Sequence, residues 1–275
     1  MCIYKKYQPS NVTRQTSQGQ NTACFAPVCG VRQIIFMPYT ISHAIISLPA
    51  HSITRGKIPV AAFIVGSISP DFPYQLALTI TKAPGHSIAG VFIYCLLPSL
   101  LILAIWYRWL EKPTLDLFWL QRERVSFNKW SYLAIVFGVL IGAYSHILWD
   151  STSHVDGYFV ARSDFLRTSL FSLPLYKWNQ YGSGVLGLFA LFLWYIYTIF
   201  KHRKRPYKGR LILGLSIYAA SILGFIVVAN AIHGSSNLAE YAVRSSIGFM
   251  TGGAVAAIIY SLIVGLQYGR FMPNK

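Results

Sequence analysis

SYLAIVFGVLIGAYSHILWDSTSHVDG, residues 131–157, decides the fold. From Ser131 to Trp149 it contains no Asp, Glu, Lys or Arg, and about 20 such residues cross a bilayer as a helix. Its end is different in kind. His146, Asp150, His154 and Asp156 fall within eleven residues, in a chain with only 8 acidic side chains. A helix built to sit in lipid therefore ends in a dense group of imidazoles and carboxylates.

Similar apolar runs lie on both sides. A short one covers residues 38–53, and another covers 58–79 after Arg55-Gly56-Lys57. Longer ones cover 88–107, 131–150, 184–200, 211–232 and 245–266, mostly bounded by Gly or Pro. These lengths are those of helices rather than barrel strands. The prediction is an all-α fold: a polytopic membrane helix bundle, with about five long transmembrane helices after a short N-terminal helical hairpin. Composition agrees, with 54% hydrophobic and 12% charged residues in 275, about half the charge of a soluble domain.

Residues 1–36 are polar and lack a signal-peptide pattern. They are predicted to be a disordered extension, or to precede a true start at Met37. Residues 37–200 form the predicted membrane domain carrying the site, and 201–275 a C-terminal transmembrane helix pair. The cysteines (Cys2, Cys24, Cys29, Cys95) complete no zinc-finger spacing, and Cys95 falls mid-span, in the core.

A net charge of +16 raises the possibility of nucleic acid as a partner. The placement of that charge points instead to topology and to anionic lipid, and no nucleic-acid partner is expected. If the 108–130 loop is cytoplasmic, alternation puts the 201–210 loop, the 54–57 turn and the C-terminal tail on the same side. Fifteen Lys and Arg then lie inside and five outside, with four in the extension, a positive-inside pattern. The expected location is a bacterial inner (plasma) membrane. On that topology His43, Asp71, His86, His146 and Asp150, from four segments, reach one depth on the periplasmic or external face.

His146 and Asp150 are spaced i, i+4, which places both on one helix face where they can share a metal ion. His154 joins them if the helix continues a turn, or comes from the loop if it breaks at Ser151-Thr152-Ser153. Imidazole with carboxylate suits zinc, with manganese or iron as alternatives. In GSISPDFPY (66–74), Asp71 lies between Pro70 and Pro73 in an otherwise apolar run, where an ionisable group points to function. APGHSIAG (83–90) presents His86 in a turn, and MPYTISHAI (37–45) presents His43. In LPLYKWNQYGSGVLG (173–187), Lys177, Gln180 and Ser183 fall at a helix start on the outer face, a natural anion site. His51 and His202 read as structural, and His233 as outward-facing and without a partner.

MPYTISHA, GSISPDFPY, GHSIAG, SHILWDSTSH and LYKWNQYGSGVLG, in this order, resemble the bacterial DUF4184 family of integral membrane proteins of unassigned function. The resemblance runs from Met37 to about Gly187. More distantly the pattern is similar to the LexA-regulated inner-membrane hydrolases and to the zinc-dependent phospholipase C and nuclease group. In that group an Asp and a His about fourteen residues apart, with a later H-x-x-x-D, bind a zinc cluster. Here Asp71 and His86 are fifteen apart, His146 and Asp150 supply the H-x-x-x-D, and His43 and His154 match the early and late histidines. A second downstream H-x-x-x-E/D is absent, which implies fewer metals.

The resemblance implies a metal-dependent hydrolase that uses one or two ions, zinc foremost, held by His43, Asp71, His86, His146, Asp150 and His154. Such ions lower the pKa of water towards about 7, and Asp156 or an otherwise unliganded carboxylate would serve as general base. The substrate would be a phosphoester, as in a phospholipid headgroup at the outer face. The other function class is a non-enzymatic scaffold or transporter with a structural or vestigial polar cluster. No internal repeat of the kind common in transporters is visible.

Overall fold

The computed structural model describes residues 40–123, 125–202 and 208–269. The expectations for residues 1–36, for a start at Met37 and for the basic residues at 124, 203–205, 270 and 275 lie outside the described residues.

The chain opens with a 3-10 turn (Thr40–Ile46), then α1 (Ser47–Ile53), α2 (Val60–Ile68), a second 3-10 turn (Ser69–Asp71) and α3 (Phe72–Ala77). A 3-10 turn at Pro84–His86 leads into the first of five helices long and apolar enough to cross a membrane, Val91–Leu117. This span alternates π-helix (Val91–Leu96), α4 (Leu97–Ile105), π-helix (Trp106–Leu110) and α5 (Glu111–Leu117). Each wide turn ends just before a proline, Pro98 or Pro113. Proline lacks the N–H for the i−4 carbonyl and clashes with it, so the preceding turn widens.

The other four spans are α6 (Lys129–Ser153), α8 (Leu175–His202), α9 (Lys208–His233) and α10 (Leu238–Gly269). Between α6 and α8 lie short α7 (Asp164–Arg167) and a two-stranded hairpin, β1 (Ser169–Leu170) with β2 (Leu173–Pro174). The architecture is the expected all-α membrane bundle. On α6, Leu133, Phe137, Ile141 and Leu148 are exposed, the outward apolar stripe of a lipid-facing helix.

The packing of α2 on α6 fixes the geometry of the site. A Cβ on Gly66 would fall 2.3 Å from the Val139 carbonyl oxygen, and one on Gly142 2.5 Å from that of Phe63. Only glycine permits this approach, and Gly138 and Gly142 form a small-xxx-small pair of the kind that joins helices in lipid. Ala62, Leu103, Ile135 and Val139 complete the buried core beside it, and Cys95 is buried with Val91 and Ala143.

The turn after α1 and the loop before α6 meet at the end of α2 opposite Asp71. There the Val60 N–H donates to Glu123 Oε2 at 2.9 Å, and His51 Nδ1 lies 3.4 Å from Glu123 Oε1. Two basic segments that the charge pattern assigned to one side thus share one end of the molecule.

Two sequence expectations change. α8 begins at Leu175, not near 184. Its polar first turns are helical because Tyr176, Lys177 and Gln180 turn inwards, which hydropathy averages register as loop. His233 is not without a partner, since its Nε2–H donates to the Ala77 carbonyl at 2.8 Å, tying α9 to α3. In the C-terminal pair Gly248 and Gly252 sit against Ile226 and Ile222 of α9, whereas a Cβ on Gly253 would meet nothing within 4 Å.

Candidate metal centre

Asp71, at the end of the second 3-10 turn, is 2% exposed. Thr40, on the first 3-10 turn, donates its hydroxyl to Asp71 Oδ2 at 2.6 Å. The other oxygen, Oδ1, is thereby directed at His86 Nε2 (3.4 Å) and His146 Nε2 (3.6 Å). His86 reaches this point because Gly85 lets its turn pack tightly; a Cβ there would lie 2.8 Å from Cys95 Sγ.

His146 is 1% exposed, and its Nδ1–H donates to the Ser67 carbonyl of α2 at 2.7 Å. The glycine contact between α2 and α6 makes that bond possible. It also leaves Nε2 facing Asp150 Oδ2, 3.1 Å away and one helical turn on. Fixing one imidazole nitrogen so that the other is presented is the usual outer support of a histidine metal ligand.

Asp150 lies at the centre. Its Oδ2 faces His146 and His86 (3.5 Å), while its Oδ1 faces His43 (3.6 Å) and His154 (3.5 Å). The His43 and His146 rings stack with centroids 4.0 Å apart, and Trp149 meets His43 edge-on at 5.2 Å. α6 runs through Ser153, and His154 follows in extended conformation, yet still reaches Asp150.

The structure thus brings together six residues from the sequence reading: His43, Asp71, His86, His146, Asp150 and His154. Buried atoms without a hydrogen-bond partner include both ring nitrogens of His43, His146 Nε2, Asp71 Oδ1 and Asp150 Oδ1. Two groups of three could each hold a metal ion, His43–His146–Asp150 and Asp71–His86–His146, with ligand atoms within 4.8 Å of one another.

Three further residues differ in placement. Lys177 and Gln180 are buried on α8, and Gln180 Nε2 lies 3.5 Å from His154 Nε2. Ser183 donates to the Asn179 carbonyl and accepts from Trp149 Nε1 at 2.9 Å. Asp156 is exposed and makes no ion pair with the cluster among the described residues.

Sequence reasoning passed over Thr40, the Ser67 carbonyl, Trp149 and Tyr74. Thr40 stands three residues before His43, a spacing that could have linked the two, but its partner is 31 residues away. Tyr74 is half-buried, with its ring 6.2 Å from that of His86. Burial, and then the nearby carboxylates of Asp71, Asp150 and Asp156, push its hydroxyl above the ordinary phenol range. It therefore remains a neutral O–H donor at the edge of the cluster.

Fold and cluster define a polytopic α-helical membrane protein with a buried His/Asp centre able to hold a metal ion at one end of the bundle. The chain belongs to the DUF4184 family, whose model, described as a domain of unknown function, matches residues 37–262. That match extends beyond Gly187 through α9 and into α10. No curated protein and no solved structure matches the chain, so the hydrolase likeness has no counterpart among them.

Proposed function

We propose that this protein is a metal-dependent hydrolase of phosphoesters, acting at the membrane surface. One observation carries the reading. Six His–carboxylate separations around Asp71 and Asp150 all fall between 3.1 and 3.6 Å. Two ligands at about 2.1 Å from a tetrahedral ion stand about 3.4 Å apart, from the 109.5° angle and zinc distances. A direct N–H···O bond closes to about 2.7–3.2 Å, and five of the six separations exceed that range. The unpartnered buried nitrogens and oxygens support the same reading, since such groups rarely stay unsatisfied.

Asp150, which faces all four imidazoles, would be the carboxylate shared across the centre. His43 and His146 with Asp150 form one group that would hold an ion, and Asp71, His86 and His146 form the other. The donor set of four imidazoles and two carboxylates suits zinc best. A divalent ion held by these residues would supply Lewis acidity towards a phosphoryl oxygen and would lower the pKa of water.

The protein's own groups supply the rest. Asp156 at the exposed rim takes a proton from the attacking water. As water adds to phosphorus the ester P–O bond breaks, and Asp156 passes the proton it took to the leaving oxygen. Tyr74 is placed to hydrogen-bond an oxyanion near His86. The site lies at the end of the apolar span α6, which supports a phospholipid headgroup as the expected phosphoester.

The test is hydrolysis of a chromogenic phosphodiester and of phospholipid vesicles by detergent-purified protein. Chelator should abolish turnover, zinc or manganese should restore it, and Asp150→Asn should lower it by about a hundredfold or more. Turnover that is indifferent to chelator and to Asp150→Asn, or no turnover with the metal loaded, would overturn the proposal.

A further inference from the structure

Lys177 is buried, with 9% of its surface exposed, inside the apolar span Leu175–Lys201. No carboxylate pairs with it among the described residues. Its Nζ donates to Gln180 Oε1 at 2.7 Å and lies 5.7 Å from the ring centroids of Tyr176 and Tyr181. An ammonium has three donors, and one is used in this way.

Its position makes the arrangement costlier. Lys177 is the third residue of α8, whose first turn contains no acidic side chain. Helix N-termini carry positive partial charge and favour anions, so a buried cation there is opposed by its own helix. A packing role would be served as well by Leu or Met without desolvating a charge. An ionisable residue held in a membrane span is a functional feature by default.

Gln180 indicates where the charge is directed. It is 0% exposed, and accepting from Lys177 through Oε1 turns its NH2 towards His154 Nε2, 3.5 Å away. His154 Nε2 in turn faces Asp150 Oδ1 at 3.5 Å. Two buried donor groups, one cationic, thus adjoin the His43–His154 side of the centre.

We propose that Lys177 and Gln180 form an anion-binding subsite beside His154 and Asp150, and that the substrate presents a phosphate-type oxyanion to it. The inference rests on the hydrolase reading for its place in catalysis, but not for the binding itself. A lipid phosphomonoester and free phosphate share this chemistry.

Equilibrium dialysis of detergent-purified protein with radiolabelled inorganic phosphate tests it, with bound metal measured on the same samples. The wild type should bind phosphate, and Lys177→Met and Gln180→Leu should each weaken binding at least about tenfold, the scale of a charge-assisted contact. Lys177→Arg should recover part of the loss. Metal content should match the wild type in the two Lys177 variants, because Lys177 touches no ligand among the described residues; Gln180 faces His154, so Gln180→Leu is compared at matched metal loading. Parallel dialysis against vesicles separates the sources: phosphatidic acid, but not phosphatidylcholine, should displace the label if a lipid headgroup is the natural occupant, and neither if it is free phosphate. Phosphate binding at wild-type strength in folded Lys177→Met, or in Gln180→Leu should the lysine variant not fold, would overturn the subsite, as would no binding by the wild type. Phosphate binding without any metal would keep the subsite and remove the hydrolase reading.

Discussion

Replacing Thr40 by Val removes one hydroxyl and keeps the shape of the side chain. Thr40 Oγ1 donates to Asp71 Oδ2 at 2.6 Å in a buried setting, a hydrogen bond to a carboxylate of the class worth about 1.5–3 kcal/mol. At about 1.4 kcal/mol per factor of ten, that corresponds to about 10–100-fold. The effect should appear mainly in metal affinity. Without the hydroxyl, Asp71 can rotate, and Oδ1 no longer stays directed at His86 and His146. Loss of such an outer partner commonly weakens metal binding 10–100-fold, so two routes lead to one magnitude. The assay is competition for zinc against a chromophoric chelator, in detergent, for wild type, Thr40→Val and Thr40→Ser. Thr40→Ser keeps a hydroxyl and should remain within a few-fold of the wild type. Wild-type zinc affinity in a folded Thr40→Val would refute the view that this bond orients Asp71 as a ligand.

Further outcomes follow from other contacts. Gly142→Leu places atoms against the Phe63 carbonyl, only 2.5 Å from an added Cβ. It should lower the thermal midpoint of the detergent-solubilised protein, with overpacking costing about 1–3 kcal/mol or more, and it should impair the metal site with it. Burial raises the Glu123 carboxyl above its ordinary 4.5, partly offset by His51 and the Val60 N–H. A raised folded pKa gives stability that is complete below the unfolded value and declines as pH rises through the folded one. Glu123→Gln should therefore flatten that part of the thermal-midpoint profile and leave the rest unchanged. Arg122 donates through Nε and Nη2 to Oε2 of buried Glu111, at 3.0 and 2.8 Å. Arg122→Ala should cost about 1–3 kcal/mol by stranding that carboxylate, and the double change with Glu111→Gln should recover part of it in chemical denaturation.

Much of the bundle was legible in local spacing. The charge-free run from Ser131 to Trp149 marks a span by itself, and i, i+4 geometry alone places His146 and Asp150 on one face. The side assigned to each loop by Lys and Arg put His43, Asp71 and His86 at one depth with them, and the fold gathers these residues at one end of α2 and α6. What spacing cannot supply is direction. The polar residues Lys177 and Gln180 kept the first turns of α8 out of the apolar run at 184–200, because averaged hydropathy does not distinguish a polar residue facing inwards from one in water. Thr40 and the Ser67 carbonyl act on partners 31 and 79 residues away, so no periodicity reveals them. The Gly66–Gly142 contact that positions them depends on two helices meeting, which neither helix encodes alone. The π-turns before Pro98 and Pro113 had a visible cause, yet a proline can equally kink or end a helix.

We propose that Asp71 and Asp150, with the four histidines around them, hold a metal ion. Elemental analysis of the purified detergent-solubilised protein, beside a His146→Ala/Asp150→Ala variant of matched folding, tests it most directly. Near-stoichiometric zinc or another divalent ion in the wild type, lost from the variant, is the predicted result. No metal in either, even after reconstitution with divalent ions, would contradict the account and leave the cluster as a polar anchor between helices.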